Sequence, residues 1–119
     1  MEKYFGVCYY PELYPKEKQE AFIREDIENM RRARFNVVRM AEFCWCLMEP
    51  REGVYDFDWL EEIVDRLGQN GIYTVLCTPT ACQPVWMASR YPETLYVDNL
   101  GVQRSYGGRH YHCYNSPIF

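Results

Sequence analysis

Apolar residues along the chain alternate between two rhythms, one of short runs and one of three-to-four spacing. Tyr4, Phe5, Gly6, Val7, Cys8, Tyr9 and Tyr10 form a β-rich apolar run ended by Pro11, which predicts a buried strand followed by a loop. From Pro15 to about Arg34 the pattern turns helical. Phe22 or Ile23, Ile27, Met30 and Ala33 recur among Lys, Glu and Arg, with Pro15 suited to a first-turn position. A second strand is predicted at Asn36–Ala41, apolar except for Arg39. A second helix is predicted at Asp58–Gln69. Leu60, Ile63, Val64 and Leu67 form its apolar stripe, Asp58 and Glu61 read as a capping box, and Gly68 or Gly71 lies near its stop. Tyr73–Cys77 reads as a third strand halted by Thr78 and Pro79. Beyond it come a short helix at Pro84–Ala88 and a stretch rich in Gly and Tyr up to Asn115, Ser116 and Pro117.

Strand, helix, strand, helix, strand, repeating at roughly 30 to 35 residues, is the order of parallel-sheet units. Such a sheet belongs either to a doubly wound nucleotide fold or to a barrel. The first strand-to-helix turn, Tyr9-Tyr10-Pro11-Glu12, carries neither of the glycine-rich phosphate-binding patterns. The loops after strands two and three are long, polar and aromatic, as on the carboxyl face of a barrel. The expected fold is therefore α/β: the amino-terminal portion of a (β/α)8 barrel, about three βα units. Residues 1–119 form a single incomplete domain, because a whole barrel takes roughly 250 residues.

Composition narrows the function classes. With 48% hydrophobic and 25% charged residues the chain is globular, and its net charge of −4 offers no field to gather nucleic acid or anionic lipid. Neither an apolar leader nor a run of about 18 apolar residues is present, so a cytoplasmic enzyme is expected. The six cysteines are expected as reduced thiols, with Cys44 and Cys46 on one face of a strand. Eleven tyrosines, several beside Gly or Pro, suit either loops that stack on sugar rings or a large core.

The predicted strand ends gather Tyr9, Glu12, Arg39, Glu42, Trp45, Glu49, Cys77 and Thr78. Arg39 is the sharpest candidate, since a guanidinium in an apolar strand must pair with a carboxylate or face a polar site. Glu42 could brace it, and a capping or solvated role fits its position better than catalysis.

Five segments then read together. They are Gly6-Val7-Cys8-Tyr9-Tyr10-Pro11-Glu12; residues 36–45 leading to Glu49-Pro50; residues 53–60; Thr78-Pro79-Thr80-Ala81 with Pro84-Val85-Trp86; and residues 108–117, Gly-Arg-His-Tyr-His-Cys-Tyr-Asn-Ser-Pro. In this order and at these intervals they resemble the amino terminus of the β-galactosidases of glycoside hydrolase family 42. The resemblance implies a retaining mechanism with two catalytic glutamates placed after barrel strands four and seven, hence no catalytic residue within this chain. It implies substrate-binding roles for Arg39 and Arg109; His110 and His112 beside Arg109 suit a structural role better than a ligand-binding one. Catalysis would need no cofactor. Cys113 matches the first ligand of a structural zinc found in some members, and a galactoside substrate and a homotrimer are implied as partners. Trp45 and Trp86 could stack on sugar or be buried in the barrel wall.

Two other readings stand beside this one: a non-catalytic sugar-binding barrel segment, and a related barrel glycosidase of different sugar specificity. As a quarter to a half of a barrel, the isolated chain is expected to be poorly soluble or molten, because its strands and helices would leave apolar faces without partners; a binding module would instead close on itself.

Overall fold

The two long helices of the chain stop in the same way, and that stop delivers each following strand. The computed structural model describes residues 3–119. Its first compact unit runs to Ala41 and resumes at Phe57–Cys77; its second comprises Glu42–Asp56 and Thr78–Phe119.

In the first unit, β1 (Gly6–Cys8), α1 (Lys16–Arg32), β2 (Val37–Met40), α3 (Asp58–Gln69) and β3 (Tyr73–Leu76) follow one another, and the strands form a parallel sheet in the order β1-β2-β3; α2 (Trp45–Met48) belongs to the second unit. After α3, the Gly71 N–H donates to the Gly68 carbonyl and the Ile72 N–H to the Leu67 carbonyl, each at 3.0 Å, with Gly71 at φ 72°. These are the paired bonds of a Schellman stop. After α1, Arg34 and Phe35 donate to the Arg31 and Met30 carbonyls in the same pattern, and Arg34 takes φ 60° although it is not glycine. Asn36 then fixes the strands' starting level. Its amide donates to the Lys3 carbonyl, its side-chain oxygen accepts from the Phe5 N–H, and its own carbonyl accepts from the Tyr73 N–H.

Register decides which face is which. Val38 lies between Val7 and Thr74, Met40 beside Leu76, and Arg39 between Cys8 and Val75. Side chains alternate across a strand, so Val38 and Met40 share one face and Arg39 takes the other. Val38 and Met40 are fully buried, and the helix stripes Ile23, Ile27 and Met30 of α1 and Leu60, Ile63 and Leu67 of α3 are buried with them. Arg39, Tyr73 and Val75 on the opposite face are exposed. A bidentate pair between Arg66 and Glu20, at 2.6 and 3.1 Å, ties α3 to α1 and holds the Glu20 carboxyl below its usual value.

The predicted helix Asp58–Gln69 has the observed bounds, but its start differs. Phe57, which has no side-chain oxygen, is the N-cap, and Asp58 and Glu61 lie in the first turn, where their charge complements the helix dipole. The first helix begins at Lys16, with Pro15 as its N-cap, and the strands are shorter than their apolar runs. Among the described residues no helix is long and apolar enough to cross a membrane.

The second unit is built from loops. It holds α2 (Trp45–Met48), α4 (Val85–Arg90) and a single turn at Pro92–Thr94, with antiparallel bridges pairing Leu95 with His112 and Val97 with Gln103. A short helix was not anticipated at Trp45. Cys44 and Cys46 therefore do not share a strand face: Cys44 is the buried N-cap of α2 and Cys46 is exposed. None of the six cysteines forms a disulfide among the described residues.

Candidate functional site

Arg39 stands one residue before the carboxyl end of β2, and its backbone is held on both sides by the ladder. Its carbonyl accepts from the Tyr9 N–H at 2.9 Å, and Nη1 lies 3.9 Å from the Cys8 Sγ. In a barrel the face without helices lines the interior. Arg39 is thus the charged group of that face, on a backbone that cannot drift. Behind it Tyr9 is buried, which pushes its hydroxyl well above the ordinary range, with the nearby Asp26 adding to the shift. Tyr14, pushed up to about 12 by burial and by the bond its hydroxyl donates to Asp26 at 2.7 Å, closes this corner.

Glu49 organises the loop of the second unit. Its carboxylate accepts from the Trp45 indole N–H and from the Gly53 N–H, and its backbone carbonyl accepts from the Trp86 indole N–H, all at 2.8 Å. Both indoles are therefore tied to one buried residue, with their rings half-buried. Glu49 is a bracing group, and its role is visible in the sequence only as the Trp45 to Glu49 spacing of one helical turn. Glutamine at position 49 carries one acceptor oxygen and puts an N–H against another N–H. Glu49→Gln is expected to lower the unfolding free energy of the whole protein by about 2 kcal/mol, measured by denaturant titration; an unchanged midpoint would contradict the bracing role.

Glu42 is buried, 4% exposed, which removes the solvated one of the roles expected for it. Glu12 sits in the single turn after β1 with both carboxylate oxygens enclosed.

Arg109 belongs to the second unit, so the two arginines singled out from the sequence fall in different units. It is exposed, with its guanidinium 5.3 Å from the centre of the Phe43 ring. His110, at φ 57°, bonds through Nδ1 to the Tyr114 hydroxyl. His112 is buried and stacks on Phe119 at 4.2 Å. Cys113 is half-buried, its N–H bonded to the Thr94 carbonyl at 2.7 Å. Among the described residues no three His, Cys, Asp or Glu side chains come together as metal ligands. Taken alone, these residues do not form a zinc centre.

The loop between residues 97 and 104 closes on Asp98. One carboxylate oxygen accepts from the Leu100 and Val102 N–H groups at 2.9 and 3.0 Å, and the other pairs with Arg104 at 3.1 Å. The bond from Val102 leads in holding this carboxyl below its ordinary value. With the folded value depressed, the loop's order is complete above about pH 4, the unfolded aspartate value, and is lost as pH falls through the folded value. The Val102 amide resonance should therefore titrate below pH 4; titration at or above that point would contradict the bond.

The family model described as beta-galactosidase, Glyco_hydro_42, matches residues 8–119. The chain belongs to this family. A beta-galactosidase of Thermus thermophilus is 46% identical over 114 residues, which is 96% of this chain and 17% of that protein. Beta-galactosidase Pbg of Clostridium perfringens is 47% identical over 95 residues, covering 80% of this chain and 14% of the relative. The chain thus spans about a sixth of the length of the curated relatives it matches.

Solved members of the family agree. The beta-galactosidase from Rahnella sp. R3 superposes with a TM-score of 0.89 at 40% identity, over 95% of this chain and 16% of that one. A catalytic mutant of Gan42B, a family 42 beta-galactosidase from G. stearothermophilus, gives 0.88 at 34% identity with the same coverage. The three-stranded parallel sheet is accordingly part of the barrel of these enzymes.

Proposed function

We propose that this chain is part of a β-galactosidase that removes terminal β-galactosyl residues from small galactosides by a retaining double displacement. The observation that carries this reading is the match to beta-galactosidases over nearly the whole chain. In such a reaction two carboxyl groups about 5 to 5.5 Å apart act as acid/base and as nucleophile. Neither lies in these residues on the present reading; Glu12, Glu42 and Glu49 serve the scaffold. Arg39 and Arg109 hold sugar hydroxyls and orient the reacting carboxylates through charge-assisted bonds. Cys113 would contribute one thiolate to a zinc site completed by residues outside this chain, and no chemical step depends on it. The 119-residue chain alone is inactive, and the whole protein works in the cytoplasm as a homotrimer.

The experiment is turnover of chromogenic β-galactoside and β-glucoside by the whole protein, with the first-formed anomer read by NMR. β-Galactose as the initial product, with the galactoside favoured, is the expected result. Preference for the glucoside would move the protein to a different barrel glycosidase. Binding of galactose without turnover would leave a non-catalytic sugar-binding segment.

A further inference from the structure

The two arginines proposed to hold sugar hydroxyls are held differently themselves. Arg39 stands in the central strand, whereas Arg109 lies outside every helix and strand, in a loop of the second unit. The backbone around Arg109 is nevertheless anchored. The His110 N–H donates to the Ala81 carbonyl at 2.9 Å, and a Cβ at Gly108 would fall 2.1 Å from the Tyr111 ring, so the chain runs directly against that ring. The Arg109 side chain is exposed, and among the described residues it pairs with no carboxylate. Its guanidinium lies over the ring of Phe43, 5.3 Å from the ring's centre, within the roughly 6 Å over which an aromatic face attracts a cation.

Phe43 sits on a firm base in the same unit. It is half-buried between Glu42 and Cys44, both buried, and the Cys44 carbonyl accepts from the Leu47 and Met48 N–H groups at the start of α2, each at 2.9 Å. Restraint by a ring differs from restraint by an ion pair. A carboxylate facing Arg109 would occupy up to two of its five N–H donors and cancel its charge, whereas a ring attracts the cation as a whole through its face. Arg109 is thus restrained with its donors left for a ligand. A neutral, polyhydroxylated ligand such as a sugar is recognised by hydrogen bonds, and a side chain held in advance loses less freedom when it makes them.

We propose that Phe43 is a positioning residue, whose ring face holds the Arg109 guanidinium in place for the sugar hydroxyls. The proposal rests on the galactosidase reading and deepens it, since Phe43 acts on the sugar only through Arg109.

The test is kcat/KM for a chromogenic β-galactoside in the whole protein, with phenylalanine, monofluorophenylalanine or trifluorophenylalanine inserted at position 43 alone. Fluorine drains negative charge from the face of the ring and nearly keeps its shape, so the packing stays while the attraction to the cation weakens. The expected result is a stepwise fall, roughly fivefold or more by the trifluoro ring, and no further fall when the series is repeated in Arg109→Ala. A value that is flat across the series, or that falls as steeply without Arg109, would overturn the proposal and leave the galactosidase reading standing. A native protein that turns over no β-galactoside would overturn both.

Discussion

Arg39→Ala in the whole protein is expected to lower kcat/KM for a β-galactoside by roughly 30- to 150-fold, the worth of about 2 to 3 kcal/mol of charge-assisted hydrogen bonding. The expectation rests on where the strand puts the side chain. Val38 and Met40, on either side, point into the buried face, so alternation turns Arg39 onto the open one. Because β2 is the central strand, with β1 and β3 bonded to its two edges, the Cα of Arg39 is fixed, as the proposed sugar-positioning role requires. Arg39→Lys should recover only part of the loss, since a lysine offers a point charge where the guanidinium offers a planar fork. The thermal midpoint of each variant, measured alongside, separates a loss of positioning from a loss of folding. A kcat/KM within twofold of the native value would remove Arg39 from the substrate-positioning role.

Gly6→Ala should be the most damaging of the glycine substitutions in the first unit. A Cβ at position 6 would lie 1.6 Å from the Val37 carbonyl oxygen and 2.7 Å from its carbon. Those are backbone atoms of the central strand, held by pairing on both sides, so the clash cannot be relieved by rotating a side chain. Separating β1 from β2 is the remaining way out, at an expected cost of about 3 kcal/mol or more. Gly53→Ala is the control. Gly53 has φ 73° with nothing near its missing Cβ, so its replacement costs only the torsional strain of about 1 kcal/mol. Equal thermal midpoints for the two variants would mean that the β1 to β2 register is wrong.

What could be read from the residues follows from the lengths of the patterns. Asp58–Gln69 offers three turns of apolar spacing, enough for the 3.6 period to declare itself, and its bounds are those observed. Arg39 stood out because a single charge in a run of six apolar-biased residues has few explanations. The four residues of α2 are too few to show a period, and so Trp45 to Met48 read as loop and Cys44 and Cys46 as strand neighbours. Glu42 read as capping or solvated because burial of a loop carboxylate depends on the fold around it, which no local pattern reports. The five ordered segments, by contrast, identified the family, since their order and intervals are properties of the chain itself.

The most direct measurement is hydrolysis of a chromogenic β-galactoside by the purified 119-residue chain beside the whole protein. Activity in the whole protein and none in the chain is the predicted result: these residues position the sugar, and the reacting glutamates lie elsewhere. Turnover by the chain alone would contradict that assignment and return Glu12, Glu42 and Glu49 to the candidates for catalysis.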